Sequence, residues 1–123
     1  MQQNTETEPF WNMSFDGSCS KAGSRAGVWV SNSGNNQTEG NSYKLNFHYT
    51  NNIAEYEALL LGFQLLKRIG AKRIAVQGDS ELILKQIKGE YVAKHPRLRA
   101  YKNVVINFLR TFVEYDLAVI PRN

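Results

Sequence analysis

The chain has 123 residues, which fits a single domain, and 42% of them are hydrophobic, as in a globular protein with a core. Its net charge of +4 is compatible with a polyanionic partner and equally with an ordinary solvated surface. The single cysteine, Cys19, excludes an internal disulfide, and no apolar run reaches the ~20 residues that cross a bilayer. The N-terminus lacks the basic and apolar regions of a signal peptide, so we expect an intracellular protein of the cytoplasm or nucleus that is not secreted and has no membrane partner.

The first part of the chain predicts a flexible tail and then three strands. Residues 1–9 are polar and end in Pro9. Apolar and polar residues then alternate over 10–16, 26–32 and 42–49, which is the period of a half-buried strand. The segments between these strands are rich in Gly, Ser and Asn and are predicted as turns. Three strands joined by short loops indicate an antiparallel meander.

The second part of the chain predicts helices alternating with strands. The expected elements are a helix over 52–69, a strand over 71–79, helices over 80–89 and 95–112, and a strand over 115–121. Asn51 or Asn52 is the expected N-cap of the first helix, and Asp79 or Ser80 that of the second. Because strands separated by helices pair in parallel, we expect an α/β domain over 10–123 with a mixed sheet.

Three acids stand at the ends of predicted elements. Asp16 closes the first strand, Glu55 lies near the start of the long helix, and Asp79 ends the fourth strand. Each has a plain alternative: a hairpin turn residue, an acid favoured by the helix dipole, and an N-cap. If the first and fourth strands are neighbours, however, the three carboxylates converge. Converging carboxylates suit hard divalent cations, and two ions can share one bridging aspartate.

The motifs around these acids resemble the ribonuclease H family. They read "SFDGS", "TNNIAEYEAL" and "VQGDSELILKQIKGEY", and the resemblance covers residues 11–123. The chain looks most similar to ribonuclease H domains of plant Gypsy-type retrotransposon polyproteins, which implies other polyprotein domains as partners. The implied ribonuclease H-like fold is a five-stranded mixed sheet of order 3-2-1-4-5, with strands 1–3 antiparallel and helices packed against it.

The resemblance also implies an activity and its residues. Members of this family cut the RNA strand of RNA–DNA hybrids endonucleolytically with two Mg²⁺ ions, which Mn²⁺ can replace. The implied catalytic residues and metal ligands are Asp16, which bridges both ions, and Glu55 and Asp79. The implied substrate-binding residues are Gly17, Ser18, Thr50, Asn51 and Asn52. Glu57 lies two residues beyond Glu55, so we expect it to face away as a solvated acid.

Other positions carry weaker predictions. Basic residues dominate 85–110 and form either the solvated face of two helices or a track for phosphates. His48 and His95 are not expected to be catalytic. Relatives often read "HIPR" after the fifth strand, where this chain has Val119, so the auxiliary histidine is not expected here.

The family continues beyond the position of Asn123 with a segment like "ADALA", which opens a last helix and supplies a fourth carboxylate. We therefore expect a domain truncated at its C-terminus, with that helix missing and cleavage weakened. The alternatives are an inactive nucleic-acid-binding module of the same fold, or another enzyme of this fold such as an integrase-like strand transferase, against which the "TNN" element argues.

Overall fold

A computed structural model describes residues 10–35, 37–45 and 50–120. Their elements are β1 (Trp11–Ser20), β2 (Gly23–Asn32), β3 (Thr38–Leu45), α1 (Asn51–Arg68), β4 (Arg73–Gly78), α2 (Glu81–Lys88), α3 (Pro96–Leu109) and β5 (Glu114–Val119). None of these helices is long and apolar enough to cross a membrane. The predicted tail, 1–9, and the end of the third predicted strand, 46–49, lie outside the described residues.

The strands form one mixed sheet in the order β3-β2-β1-β4-β5. The strands β1, β2 and β3 pair antiparallel, whereas β4 is parallel to β1 and β5 is parallel to β4. The predicted fold class and strand order are therefore confirmed.

The first three strands extend into segments predicted as turns. The hairpin pairs Ser20 with Gly23, so only two residues connect β1 to β2, and β3 begins at Thr38 rather than at 42. Both turns lie inside the predicted segments, at 21–22 and 33–35, but they are shorter than predicted, because pairing with a neighbouring strand overrides the low strand propensity of Gly and Ser.

The core lies between one face of the sheet and α1. Alternate residues of β1 and β2 are buried beneath the apolar stripe of α1, and α3 closes the far side of this helix. The largest fully buried side chains are Tyr56, Phe63, Met13, Leu59, Leu66, Ile74, Ile83 and Leu84. The opposite face of the sheet, which we call the outer face, carries mostly small and polar side chains of β1, β2 and β3.

The strand β1 extends beyond its pairing with β4, and this leaves part of one edge of β1 unpaired. Pairing of β1 with β4 ends at Ser14 and Gln77, while β1 itself continues to Ser20. The second half of β1 therefore lacks a strand neighbour on that side. The N-terminal part of α1 and the residue after β4 lie next to this free edge, as the contacts below show.

Candidate metal centre

Three carboxylates meet at the free edge of β1. One oxygen from each of Asp16, Glu55 and Asp79 lies within 4.8 Å of the others. Asp16 is exposed on β1, Glu55 is buried one turn into α1, and Asp79 directly follows β4. The convergence that the sequence predicted for these acids is thus present.

Backbone N–H groups of β1 hold the start of α1 in place. The N–H of Gly17 donates to Glu55 Oε1 at 2.9 Å, and the N–H of Cys19 donates to Asn51 Oδ1 at 3.0 Å. Alternate residues of a strand thus bond side chains one helical turn apart. A longer β4 would otherwise accept these two N–H groups of β1. Side chains of α1 accept them instead, and this fixes where Glu55 lies.

Glycine at position 17 is required by close approach. A Cβ there would stand 2.3 Å from the carbonyl carbon and oxygen of Ala54 and 2.4 Å from the nitrogen of Glu55. Real Cβ atoms do not come this close to backbone. The approach of α1 to β1, and with it the Gly17–Glu55 hydrogen bond, therefore depends on the absence of a side chain.

Glu55 is the electrostatically perturbed member of the set. Burial raises its pKa from 4.5 to about 7; the hydrogen bond from Gly17 opposes this rise, and the charges of Asp16 and Asp79 add to it. Its Oε2 is buried without a hydrogen-bond partner among the described residues. A buried carboxylate oxygen beside two more carboxylates fits a hard divalent cation, which prefers oxygen ligands and offsets their repulsion.

The acids line a shallow cleft of about 590 Å³. Its lining consists of Asp16, Gly17, Ser18, Cys19, Asn51, Asn52, Glu55, Asp79 and Ser80. This set includes every site residue predicted from the sequence except Thr50.

Thr50 has a structural task that the sequence analysis gave to its neighbours. It is the N-cap of α1, and its hydroxyl accepts the N–H of Ile53 at 3.3 Å. The prediction that Asn51 or Asn52 caps the helix was wrong, because both already lie inside it. The Oδ1 of Asn51 instead accepts the N–H of Cys19. Its amide NH₂ is left as a donor on the cleft side. The contact of Thr50 with substrate stays a prediction.

Glu57 does not belong to the carboxylate cluster, but the prediction of a solvated acid was wrong. It is half-buried and accepts a short hydrogen bond from the hydroxyl of Tyr101 on α3. This acid therefore ties α1 to α3. The partner is 44 residues away in sequence, and no local pattern indicates it.

A buried hydrogen bond behind the site was not predicted. The hydroxyl of Tyr56, the neighbour of Glu55, donates to Gln86 Oε1 on α2 at 2.8 Å. The ring of Tyr56 also stacks on Tyr101, with centroids 5.6 Å apart. Since α2 begins just after Asp79, this bond links the helix carrying Glu55 to the element that follows Asp79. The sequence did hold one signal for this bond, because Gln86 is a polar residue on the apolar stripe of the short helix α2.

The structure also describes the basic residues of α2 and α3, His95 and Val119, which the sequence had singled out. Lys85 pairs with Glu81 at 2.6 Å and lies over the ring of Tyr91, while most other basic residues of α2 and α3 are exposed. His95 caps α3 by accepting the N–H of Arg97. Val119 stands where relatives often carry a histidine. It pairs with Gly78, the residue that precedes Asp79.

Comparison with known proteins decides the family. A family model described as reverse transcriptase-like matches residues 14–123. The chain belongs to this family. Among solved structures, the N-terminal ribonuclease H domain of Rv2228c from Mycobacterium tuberculosis superposes with a TM-score of 0.84 at 24% identity, covering 94% of this chain and 84% of that one. At that identity the likeness establishes the shared ribonuclease H fold.

Two further relatives of this reverse transcriptase-like chain are ribonucleases H by name. LC11-RNase H1, solved in complex with an RNA/DNA hybrid, has a TM-score of 0.82 at 27% identity, covering 91% of this chain and 86% of that one. Ribonuclease HI of Halobacterium salinarum is 33% identical over 73 residues, which are 59% of this chain and 37% of that protein. The bifunctional protein Rv2228c is 43% identical over 49 residues, which are 40% of this chain and 14% of that protein. The matches with these two curated proteins thus span well under half of the length of each.

Proposed function

We propose that this chain hydrolyses the RNA strand of RNA–DNA hybrids endonucleolytically, with two Mg²⁺ ions held by Asp16, Glu55 and Asp79. The observation that carries the proposal is the approach of three carboxylates to within 4.8 Å in a ribonuclease H fold. The name of LC11-RNase H1, and the hybrid in its structure, support the choice of substrate.

The three acids would have different roles as metal ligands. Asp16 is the exposed member and would be shared by the two ions, whereas Glu55 and Asp79 would complete one of the two sites. The ions, Mg²⁺ or Mn²⁺, supply activation of water and stabilisation of the charge that develops on phosphate and leaving oxygen. The N–H of Gly17 bonds Oε1 of Glu55 and so fixes the orientation of this carboxylate in the wall of the cleft.

The polar residues of the cleft suit the sugar-rich face of a hybrid. Asn51 and Asn52 offer amide donors beside the acids, and Ser18 offers an exposed hydroxyl on β1. An A-form-like duplex presents 2′-hydroxyls in a wide, shallow minor groove, so contacts there select by sugar and shape rather than by sequence. We propose that Gly17 and Thr50 add backbone and hydroxyl contacts to phosphates.

Cleavage of an end-labelled hybrid tests the proposal. The wild-type chain is incubated with Mg²⁺ or Mn²⁺ beside Asp79→Asn and the matched control Asp116→Asn, an exposed acid on β5. We expect RNA-strand products with 5′-phosphate ends from the wild type and the control, and a loss of at least ~100-fold in Asp79→Asn, as for removal of a group that stabilises transition-state charge. Equal cleavage by all three proteins would reject the assigned site.

Duplex RNA and duplex DNA serve as substrate controls and should remain intact. Binding of the hybrid without any cleavage would favour the alternative, a nucleic-acid-binding module.

We also propose that the domain works inside the cell as part of a retrotransposon polyprotein. The reverse transcriptase-like family description supports this context. Sequencing the flanking reading frame for adjoining polymerase domains, and imaging a fluorescent fusion, test the two statements separately.

A further inference from the structure

The hydrogen bond between Tyr56 and Gln86 lies in an otherwise apolar part of the core. Tyr56 is fully buried and Gln86 is 3% exposed, and the bond joins the phenol hydroxyl to the amide oxygen at 2.8 Å. The buried neighbours of Gln86 on α2 are Ile83, Leu84 and Ile87. Two apolar side chains of similar shape in place of the polar pair would be nearly neutral for stability or even favourable. Stability alone therefore does not account for a polar pair here.

Both partners belong to elements that present a carboxylate to the metal centre. Tyr56 directly follows Glu55 on α1, and successive residues of a helix point about 100° apart. The carboxylate accordingly meets β1, while the phenol meets α2 and α3. Gln86 lies on α2, which begins two residues after Asp79. The bond thus connects the helix that carries Glu55 with the element that follows Asp79.

The start of α2 has little local support. Its N-cap, Ser80, makes no side-chain hydrogen bond to the first turn. The N–H of Glu81 donates to the carbonyl oxygen of Asp79 at 3.1 Å, which ties the first residue of the helix to the proposed metal ligand. A helix of eight residues is too short to be stable by itself. Contacts with the rest of the core therefore set the position of α2, and a shift of α2 moves Asp79.

The phenol of Tyr56 is held in one orientation. Its ring stacks on the ring of Tyr101, with 15° between the two ring planes. A hydrogen bond weakens steeply as its angle and length depart from the optimum, so a fixed phenol accepts only a narrow range of positions for Gln86. Apolar contacts are non-directional and would let α2 settle in several positions. The polar pair therefore specifies one placement of α2 against α1.

We propose that Tyr56 and Gln86 are positioning residues that set the separation of the Glu55 and Asp79 carboxylates and so favour Mg²⁺ over the larger Ca²⁺. Mg²⁺ demands near-ideal octahedral geometry with oxygens at about 2.0–2.1 Å, whereas Ca²⁺ accepts about 2.3–2.6 Å and variable geometry. A link that holds two ligands at one separation therefore matters more for Mg²⁺ than for Ca²⁺. The inference rests on the proposed function for the metal centre.

Calorimetric titration with MgCl₂ and with CaCl₂ tests the inference without any substrate. Tyr56→Phe and Gln86→Leu should each weaken Mg²⁺ binding by about 10-fold, which is the lower end of the loss expected when a group that orients metal ligands is removed. Each should weaken Ca²⁺ binding by a smaller factor. Tyr101→Phe is the matched control, because it removes a tyrosine hydroxyl from the same stack but one that bonds Glu57 on α1. It should keep the wild-type ratio of the two affinities.

The variant that combines Tyr56→Phe with Gln86→Leu separates positioning from stability. It leaves neither polar group of this contact buried without a partner, so its urea midpoint should recover part of the loss of the single variants. Its ratio of Mg²⁺ to Ca²⁺ affinity should nevertheless stay low, because no directional bond remains. Recovery of the wild-type ratio together with stability would overturn the inference, and so would an equal fall of the ratio in Tyr101→Phe.

Amide resonances recorded in the presence of a chelator provide a readout that needs no metal. In Tyr56→Phe the N–H resonances of Asp79, Ser80 and Glu81 should shift or broaden, whereas in Tyr101→Phe they should stay in place. Unchanged resonances in Tyr56→Phe would show that the bond does not position Asp79.

The outcomes distinguish this inference from the proposed function. Mg²⁺ binding and hybrid cleavage by the wild type, with an unchanged affinity ratio in Tyr56→Phe and Gln86→Leu, would reject the positioning role alone. If the wild type binds neither ion, the proposed metal centre fails and the preference for Mg²⁺ fails with it. The amide resonances still decide in that case whether the bond places Asp79.

Discussion

Replacing Glu55 by Gln should stabilise the metal-free protein at neutral and higher pH. The pKa of Glu55 is raised from 4.5 to about 7, chiefly by burial. One pKa unit corresponds to about 1.4 kcal/mol, so ionisation costs the folded state about 3 kcal/mol more than the unfolded chain. Glutamine keeps an oxygen that can accept the N–H of Gly17 and carries no charge.

The direction of the pH dependence follows from which state ionises first. Below about pH 4.5 the carboxyl is neutral in both states, and the penalty is absent. Between pH 4.5 and about 7 the unfolded chain ionises while the folded chain keeps its proton, so the free energy of unfolding falls. Above pH 7 the wild type has lost the whole ~3 kcal/mol, and the Glu55→Gln variant has not.

Urea denaturation at a series of pH values between 4.5 and 8.5, in buffer containing a chelator, measures this difference. The quantity compared is the free energy of unfolding of Glu55→Gln minus that of the wild type, so other titrating groups cancel. Glu90→Gln, which alters an exposed acid beyond α2, is the control and should run parallel to the wild type. Parallel curves for Glu55→Gln and the wild type would refute the claim that burial perturbs Glu55.

The same experiment with Mg²⁺ should reverse the order of stability. A cation binds the ionised carboxylates of the folded state, and its stabilisation grows with concentration above the dissociation constant. At pH 8 the wild type should gain more from Mg²⁺ than Glu55→Gln gains. An equal gain in both proteins would show that Glu55 is not a ligand.

Three other substitutions test how the site is held. Gly17→Ala should cost at least ~3 kcal/mol of unfolding free energy and abolish cleavage, because its Cβ would meet the Ala54 backbone at 2.3 Å; an unchanged urea midpoint would contradict this. Tyr56→Phe should cost ~1–2 kcal/mol by leaving Gln86 Oε1 unpaired, and Tyr56→Phe combined with Gln86→Leu should recover part of the loss. Thr50→Ala should cost ~1 kcal/mol through the lost helix cap, measured by thermal unfolding, whereas Thr50→Ser should be nearly silent.

Much of the architecture could be predicted because short segments of the sequence determine the type of each element. The change from a period of two to a period of 3.6 residues near position 50 marks the passage from the meander to α1. The alternation of helices and strands after it implies parallel pairing, which the order β3-β2-β1-β4-β5 confirms. The three acids could be selected because each was expected at the end of an element; Asp16 instead lies inside β1, two residues beyond the point where pairing with β4 stops.

Tertiary structure decided what each polar side chain does. The partners of Glu55, Asn51 and Glu57 lie 38, 32 and 44 residues away, so no local pattern names them. Burial of Glu55 follows from the approach of α1 to β1, and this burial is the main cause of its raised pKa. Periodicity and residue type determined the elements and their order, whereas hydrogen-bond partners, exposure and proton affinity depend on distances that exist only once the chain has packed.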